Sequence, residues 1–120
     1  MLEPKHLRKG KTAESQALTF LESKGLSLIE RNFRCRCGEI DLIMLHDQDL
    51  VFVEVRYRRK DSFGGAVESI DSRKQRKIRM AAEAYLQQNE TLMFKGCRFD
   101  VLAIDGEEER SSIQWISDAF

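Results

Sequence analysis

The chain has 120 residues, 42% of them hydrophobic and 33% charged, and its 20 Lys and Arg are balanced by 20 Asp and Glu. That length supports one domain with one core, and the neutral total excludes simple polycation behaviour. Three cysteines are too few and too odd for a disulfide scaffold and are expected to be reduced; no apolar run approaches the roughly 20 residues of a membrane span, so a cytoplasmic protein is expected, with no membrane partner. In chain order, residues 1–9 read as a mobile basic arm and residues 10–120 as a single domain. Ala13, Ala17, Phe20 and Leu21 recur at helical spacing and predict a helix over 11–24, which Gly25 ends. Strands follow over 28–34, 39–45 and 50–57, the last two joined by the turn His46-Asp47-Gln48-Asp49. Residues 60–69, with Gly64-Gly65, read as a flexible loop. Ser72 and Gln75 resemble a capping box that opens a second helix, to about Gln88. Strands over 98–104 and 113–116 complete the chain.

The order is α-β-β-β-α-β-β. Short connections make the first three strands an antiparallel meander. The second helix is long enough for a right-handed crossover that returns strand four parallel to strand three. The expectation is an α/β fold with a small central mixed sheet flanked by helices. Strands two and three are apolar at nearly every position, as befits the middle of a covered sheet.

Against that background, three charges stand out. Asp41 interrupts Gly38-Glu39-Ile40-Asp41-Leu42-Ile43, and Glu54 interrupts Val51-Phe52-Val53-Glu54-Val55-Arg56. A buried unpaired ion costs several kcal/mol, so such groups have partners: each other, a metal or a phosphate. Alternation puts Glu54 and Arg56 on one face, roughly 6.6 Å apart along the strand. If strands two and three pair, Asp41 and Glu54 converge. Two carboxylates at one point suit Mg²⁺ or Mn²⁺, which can polarise a phosphodiester and acidify a bound water. A neighbouring cation such as Arg56 can stabilise the charge that develops. The alternative for either carboxylate alone is an ordinary salt bridge.

Glu14 shares a helical arc with Ala17, Leu18 and Leu21, which turns it toward the sheet; a favourable place near a helix N-terminus is the other account of it. Lys74 extends the apolar stripe of Ile78, Ala81 and Tyr85 on the second helix. Of the 20 Lys and Arg residues, four fall in 5–11, four in 56–60 and five in 73–79. Local patches rather than net charge attract a phosphate backbone. Arg58, Arg59, Lys60, Arg73, Lys74 and Lys77 are therefore the candidate nucleic-acid contacts. Cys35-Arg36-Cys37 lacks the two further ligands that a structural zinc needs. Asp100 pairs most simply with Arg98, and Trp115 and Phe120 read as packing residues.

Several segments carry a resemblance to a known family. They are Gly10-Lys11-Thr12-Ala13-Glu14, Asn32-Phe33-Arg34, the two strand motifs above continued to Tyr57-Arg58, Phe63-Gly64-Gly65, Lys74, residues 82–86, Arg98-Phe99-Asp100-Val101 and Trp115-Ile116-Ser117-Asp118-Ala119-Phe120. Together they resemble the YraN family of small bacterial proteins and, more widely, the PD-(D/E)XK or restriction-endonuclease-like nucleases. The resemblance implies a helix Glu, a strand Asp and a Glu-X-Lys strand around Mg²⁺, which carries over to Glu14, Asp41 and Glu54. Arg56 stands where the superfamily has Lys. A guanidinium stays protonated and cannot act as a general base, though it can hold a phosphate. Kinship with Holliday-junction resolvases further implies branched or structured DNA as substrate, and a homodimer. The expected function is a metal-dependent endonuclease with Glu14, Asp41, Glu54 and Arg56 as its catalytic set; the alternative is a non-catalytic nucleic-acid-binding module on the same fold.

Overall fold

A computed structural model describes residues 5–58, 70–106 and 112–120, with the side chains of the first helix described from Ala13 onward. Helix α1 spans Lys5–Ser23. It starts six residues before the expected position, because the basic segment after Pro4 is made largely of helix-compatible residues, although it lacks the apolar spacing that marks the rest. Of the expected arm, residues 5–9 are thus helical and residues 1–4 lie outside the described residues. Ala13, Ala17 and Leu21, at spacings of four, are buried along one stripe of α1. Gly25, at φ 95°, takes the left-handed conformation that turns the chain into the sheet.

Strands β1 (Leu26–Cys35), β2 (Gly38–His46) and β3 (Asp49–Arg58) form the antiparallel meander. Helix α2 (Ser72–Gln88) crosses over to β4 (Gly96–Asp105), which runs parallel to β3, and β5 (Ser112–Ile116) adds antiparallel to β4. The spatial order is β1-β2-β3-β4-β5. The mixed α/β architecture and element order are those the sequence predicts. The expected loop over 60–69 lies outside the described residues.

Alternation along β3 sorts the core into two layers. Val51 and Val53 join Leu102 and Ile104 against Ala17 and Leu21 of α1. Phe52 joins Val101 and Ala103 against Ile78, Ala82 and Tyr85 of α2. Each helix therefore covers one face, and β2 and β3 are buried on both. Burying one large apolar side chain in this way stabilises the fold by about 1.5–3 kcal/mol. The cap of α2 differs by one residue from the expected box. Asp71 is the N-cap, accepting the Lys74 N–H at 2.8 Å, while the Gln75 side chain donates to Ile70 O at 3.0 Å. Both residues are good caps, and Asp71 takes the role on extended backbone with its carboxylate on the Lys74 N–H.

Candidate active site

The site forms where β2 and β3 part. Their ladder ends at Leu42↔Val53. On the other side of β2, the pairing with β1 skips the step between Arg31↔Leu42 and Phe33↔Ile40. Asn32, in that gap, has φ 54°, a left-handed conformation that Asn tolerates better than most residues. Ile40 accordingly joins Ile43 in the α2-side core instead of following Leu42 to the other face. The interruption falls on Asp41. Its carboxylate takes the place of a ladder acceptor: Val55 N–H donates to Asp41 Oδ2 at 2.8 Å. That bond fixes Asp41 between the strands, next to Glu54.

Glu54 is only 7% exposed. Its Oε1 lies 3.8 Å from Arg56 Nε and 3.9 Å from Lys74 Nζ, so two cations face it from β3 and from the first turn of α2. Glu14 approaches from α1. Its Oε1 is buried and has no hydrogen-bond partner among the described residues. Three elements thus deliver three carboxylates, and a fourth, Glu39, lies close enough to be felt while pairing with Arg34 at 3.5 Å.

The electrostatic consequence is large. Burial, with the nearby charges of Glu14 and Glu39, pushes the Asp41 carboxyl up to about 6, despite the Val55 N–H and Lys74 pulling the other way. Burial and the Asp41 charge push Glu54 up to about 7, against Lys74 and Arg56. Carboxylates that repel one another in a dry place favour whatever brings positive charge: protons or a cation. Among the described residues no three His, Cys, Asp or Glu form a ready cage. Asp41 and Glu54, with the buried Oε1 of Glu14 nearby, are the residues that could hold a hard divalent ion, which takes one or two carboxylates and completes its shell with water.

The expected nucleic-acid contacts divide. Lys74 belongs to the carboxylate site itself. With Lys77, Arg34, Cys35, Gly38 and Glu39 it also lines an adjoining open cleft of about 310 Å³. Arg73 is exposed on α2. Arg58 forms a two-pronged bridge to Asp105, at 2.7 and 2.9 Å, because the parallel register sets those residues side by side. Arg59 and Lys60 lie outside the described residues. Asp100, fully buried, accepts from Arg98 Nε at 3.0 Å, Trp115 Nε1 at 2.9 Å and Asp118 N–H at 2.9 Å, which makes it a clamp for β5 and the C-terminus. Sequence reasoning missed Asn32 and Glu39 as site-shaping residues. The signal for Glu39 was its place two residues before Asp41 in a strand; that for Asn32 was only an Asn inside a strand pattern.

The profile of the uncharacterised protein family UPF0102 matches residues 13–104, a span that holds Glu14, Asp41, Glu54, Arg56 and Lys74. A UPF0102 protein of Nitrosococcus oceani is 49% identical over 115 residues, covering 96% of this chain and 93% of its own. One from Pseudomonas fluorescens is 45% identical over 120 residues, covering 100% and 98%. One from Pseudomonas syringae pv. syringae is 50% identical over 112 residues, covering 92% and 91%.

Proposed function

The chain belongs to the uncharacterised protein family UPF0102, and from its site we propose that it is a Mg²⁺- or Mn²⁺-dependent endonuclease that hydrolyses phosphodiester bonds in DNA, branched or structured DNA included. The observation that carries this reading is the convergence of Asp41 and Glu54, with raised proton affinity, beside Lys74 and Arg56. A site built for stability would have neutralised those carboxylates with close hydrogen bonds.

Asp41 and Glu54 would hold the ion, and Glu14 would support it directly or through water. When bound, the ion supplies Lewis acidity to the phosphodiester and makes a bound water more acidic. The chain's own cations do the rest. Arg56 presents a fixed positive charge on the Glu54 side and stabilises charge on the phosphate. Lys74 brings from α2 the ammonium that position 56 lacks; it can orient a phosphate oxygen or a water beside Glu54. Lys77 and Arg34, across the cleft, neutralise neighbouring phosphates of the strand. The resemblance adds the expectation that two copies act together.

The presence of Arg56 in place of a lysine favours the second reading, a binding module without catalysis. One experiment separates the two. Labelled single strands, duplex, flaps and four-way junctions are incubated with Mg²⁺ or Mn²⁺ and the parent protein, Asp41→Asn or Glu54→Gln. Cleavage by the parent, lost in both variants while binding is kept, is the expected result. Salt-sensitive binding with no cleavage of any substrate would establish the module instead.

A further inference from the structure

The tip of the first hairpin carries a second reactive constellation. Cys35, the last residue of β1, pairs with Gly38, the first of β2, so Arg36 and Cys37 form a two-residue turn. The turn brings Cys35 Sγ and Cys37 Sγ to 2.7 Å, within direct reach of each other. Both thiols are half-buried against the α2-side core, which holds them in place. The third thiol, Cys97, is exposed at the start of β4, toward the opposite end of the sheet.

We propose that Cys35 and Cys37 are a thiol–disulfide exchange site that closes to an intramolecular disulfide, with a small anionic disulfide of the glutathione class as the oxidant. Cys35 lines the cleft whose other walls include Arg34, Lys74 and Lys77, so an anionic disulfide is drawn toward the sulfur it must meet. Cys35 is the attacking group, since it and not Cys37 lines the cleft where the oxidant arrives; the hydrogen bond between the two thiols lowers Cys35 and raises Cys37. The Cys35 thiolate attacks one sulfur of the oxidant, forming a mixed disulfide and expelling one small thiolate. That thiolate takes the Cys37 proton. The Cys37 sulfur then attacks Cys35 Sγ, closing the ring and expelling the second small thiolate, which takes from solvent the proton that Cys35 gave up. Two protein thiols are oxidised and one disulfide is reduced to two thiols. The tip is keyed into α2 as well: a Cβ on Gly38 would lie 3.1 Å from Lys77 O, so the closing turn bears on the helix that carries Lys74 and Lys77. This site stands independently of the nuclease reading.

The test uses the full chain carrying Cys97→Ser, held in glutathione buffers of graded oxidised-to-reduced ratio, quenched with N-ethylmaleimide and weighed intact. The expected result is passage from a species with two maleimides to one with none, lighter than the dithiol by two hydrogens and holding no glutathione. Adding Cys37→Ser should halt the reaction at one glutathione on Cys35. Oxidised glutathione should close the ring about tenfold faster than the cationic disulfide cystamine at low salt. Thiols that stay alkylatable, a mixed disulfide that persists in the presence of Cys37, or covalent dimers would overturn the proposal. Cystamine reacting as fast as oxidised glutathione would overturn its anionic specificity.

Discussion

Replacing Glu54 with Gln should stabilise the protein, and only at higher pH. The carboxyl is raised from an ordinary 4.5 to about 7 in the fold, so the folded state holds its proton more tightly than the unfolded chain does. Stability therefore falls as pH rises from about 4.5 through about 7, and the loss is complete above that. At roughly 1.4 kcal/mol per pH unit of difference, ionising Glu54 costs the apoprotein about 3 kcal/mol at pH 8.5 and less than about 1 kcal/mol at pH 5. Gln mimics the protonated acid, so Glu54→Gln should recover most of that cost at pH 8.5, a rise of roughly 10 °C in Tm for a domain of this size. Urea and thermal denaturation in chelator at the two pH values measure it, and Trp115, the sole tryptophan, reports unfolding by fluorescence. The reasoning fails if the variant is less stable at pH 8.5, for then Arg56 and Lys74 hold Glu54 as a net stabilising ion pair. It fails equally if the gain is the same at both pH values.

Further predictions rest on the same geometry. Millimolar Mg²⁺ should raise the Tm of the parent protein more at pH 8.5 than at pH 6, where protons already occupy Asp41 and Glu54, and should leave Glu54→Gln nearly unmoved; an equal rise in both proteins would place the ion elsewhere. Asp100→Ala should cost about 3 kcal/mol in urea unfolding, since it leaves the Trp115 indole N–H and the Asp118 amide without their acceptor and takes from Arg98 its buried counter-charge, though His46 and Asp49 still hold that guanidinium. Asn32→Gly should be close to neutral, whereas Asn32→Val should cost about 1–3 kcal/mol through its left-handed backbone and weaken any Mg²⁺ response by shifting Asp41. Calorimetry and denaturation on the two variants separate those effects.

Much of this was visible in the sequence because it depends on periodicity and near neighbours. Strands β2 and β3 are adjacent in the chain, and so the convergence of Asp41 and Glu54 follows once a tight turn is placed between them. Lys74 was legible as an extension of the α2 stripe toward the sheet, although its closeness to Glu54 was not. Residues paired across long separations were hidden. Nothing local says that Arg58 will spend its charge on Asp105, because the two meet only after the crossover sets β4 parallel to β3. The sequence pattern puts the cap of α2 one residue late, at Ser72, because Ser72 and Gln75 have the spacing of a capping box while Asp71 before them is an equally good cap. Asn32 was obscured for a different reason: alternation assumes a regular strand, and its residue marks where regularity stops.

Two buried carboxylates in one sheet show what that irregularity serves. Asp100 has a guanidinium, an indole N–H and a backbone N–H at 2.9–3.0 Å, and its pairing with β3 runs on unbroken. Glu54 lies one strand away, yet its cations stand at 3.8 and 3.9 Å, beyond direct hydrogen bonding, and its nearest carboxylate neighbours repel it. The fold is plainly able to satisfy a buried acid, and at Asp41 and Glu54 it does so incompletely. Such local conflict costs stability, and it persists where a missing partner is supplied from outside. In the proposed reading that partner is a hard cation held by Asp41 and Glu54, with Lys74 and Arg56 beside it toward the phosphate. On the proposed reading the carboxylates serve a cation and the cations a phosphate, so the exchange Glu54→Gln should strengthen the fold and abolish the proposed cleavage in the same step.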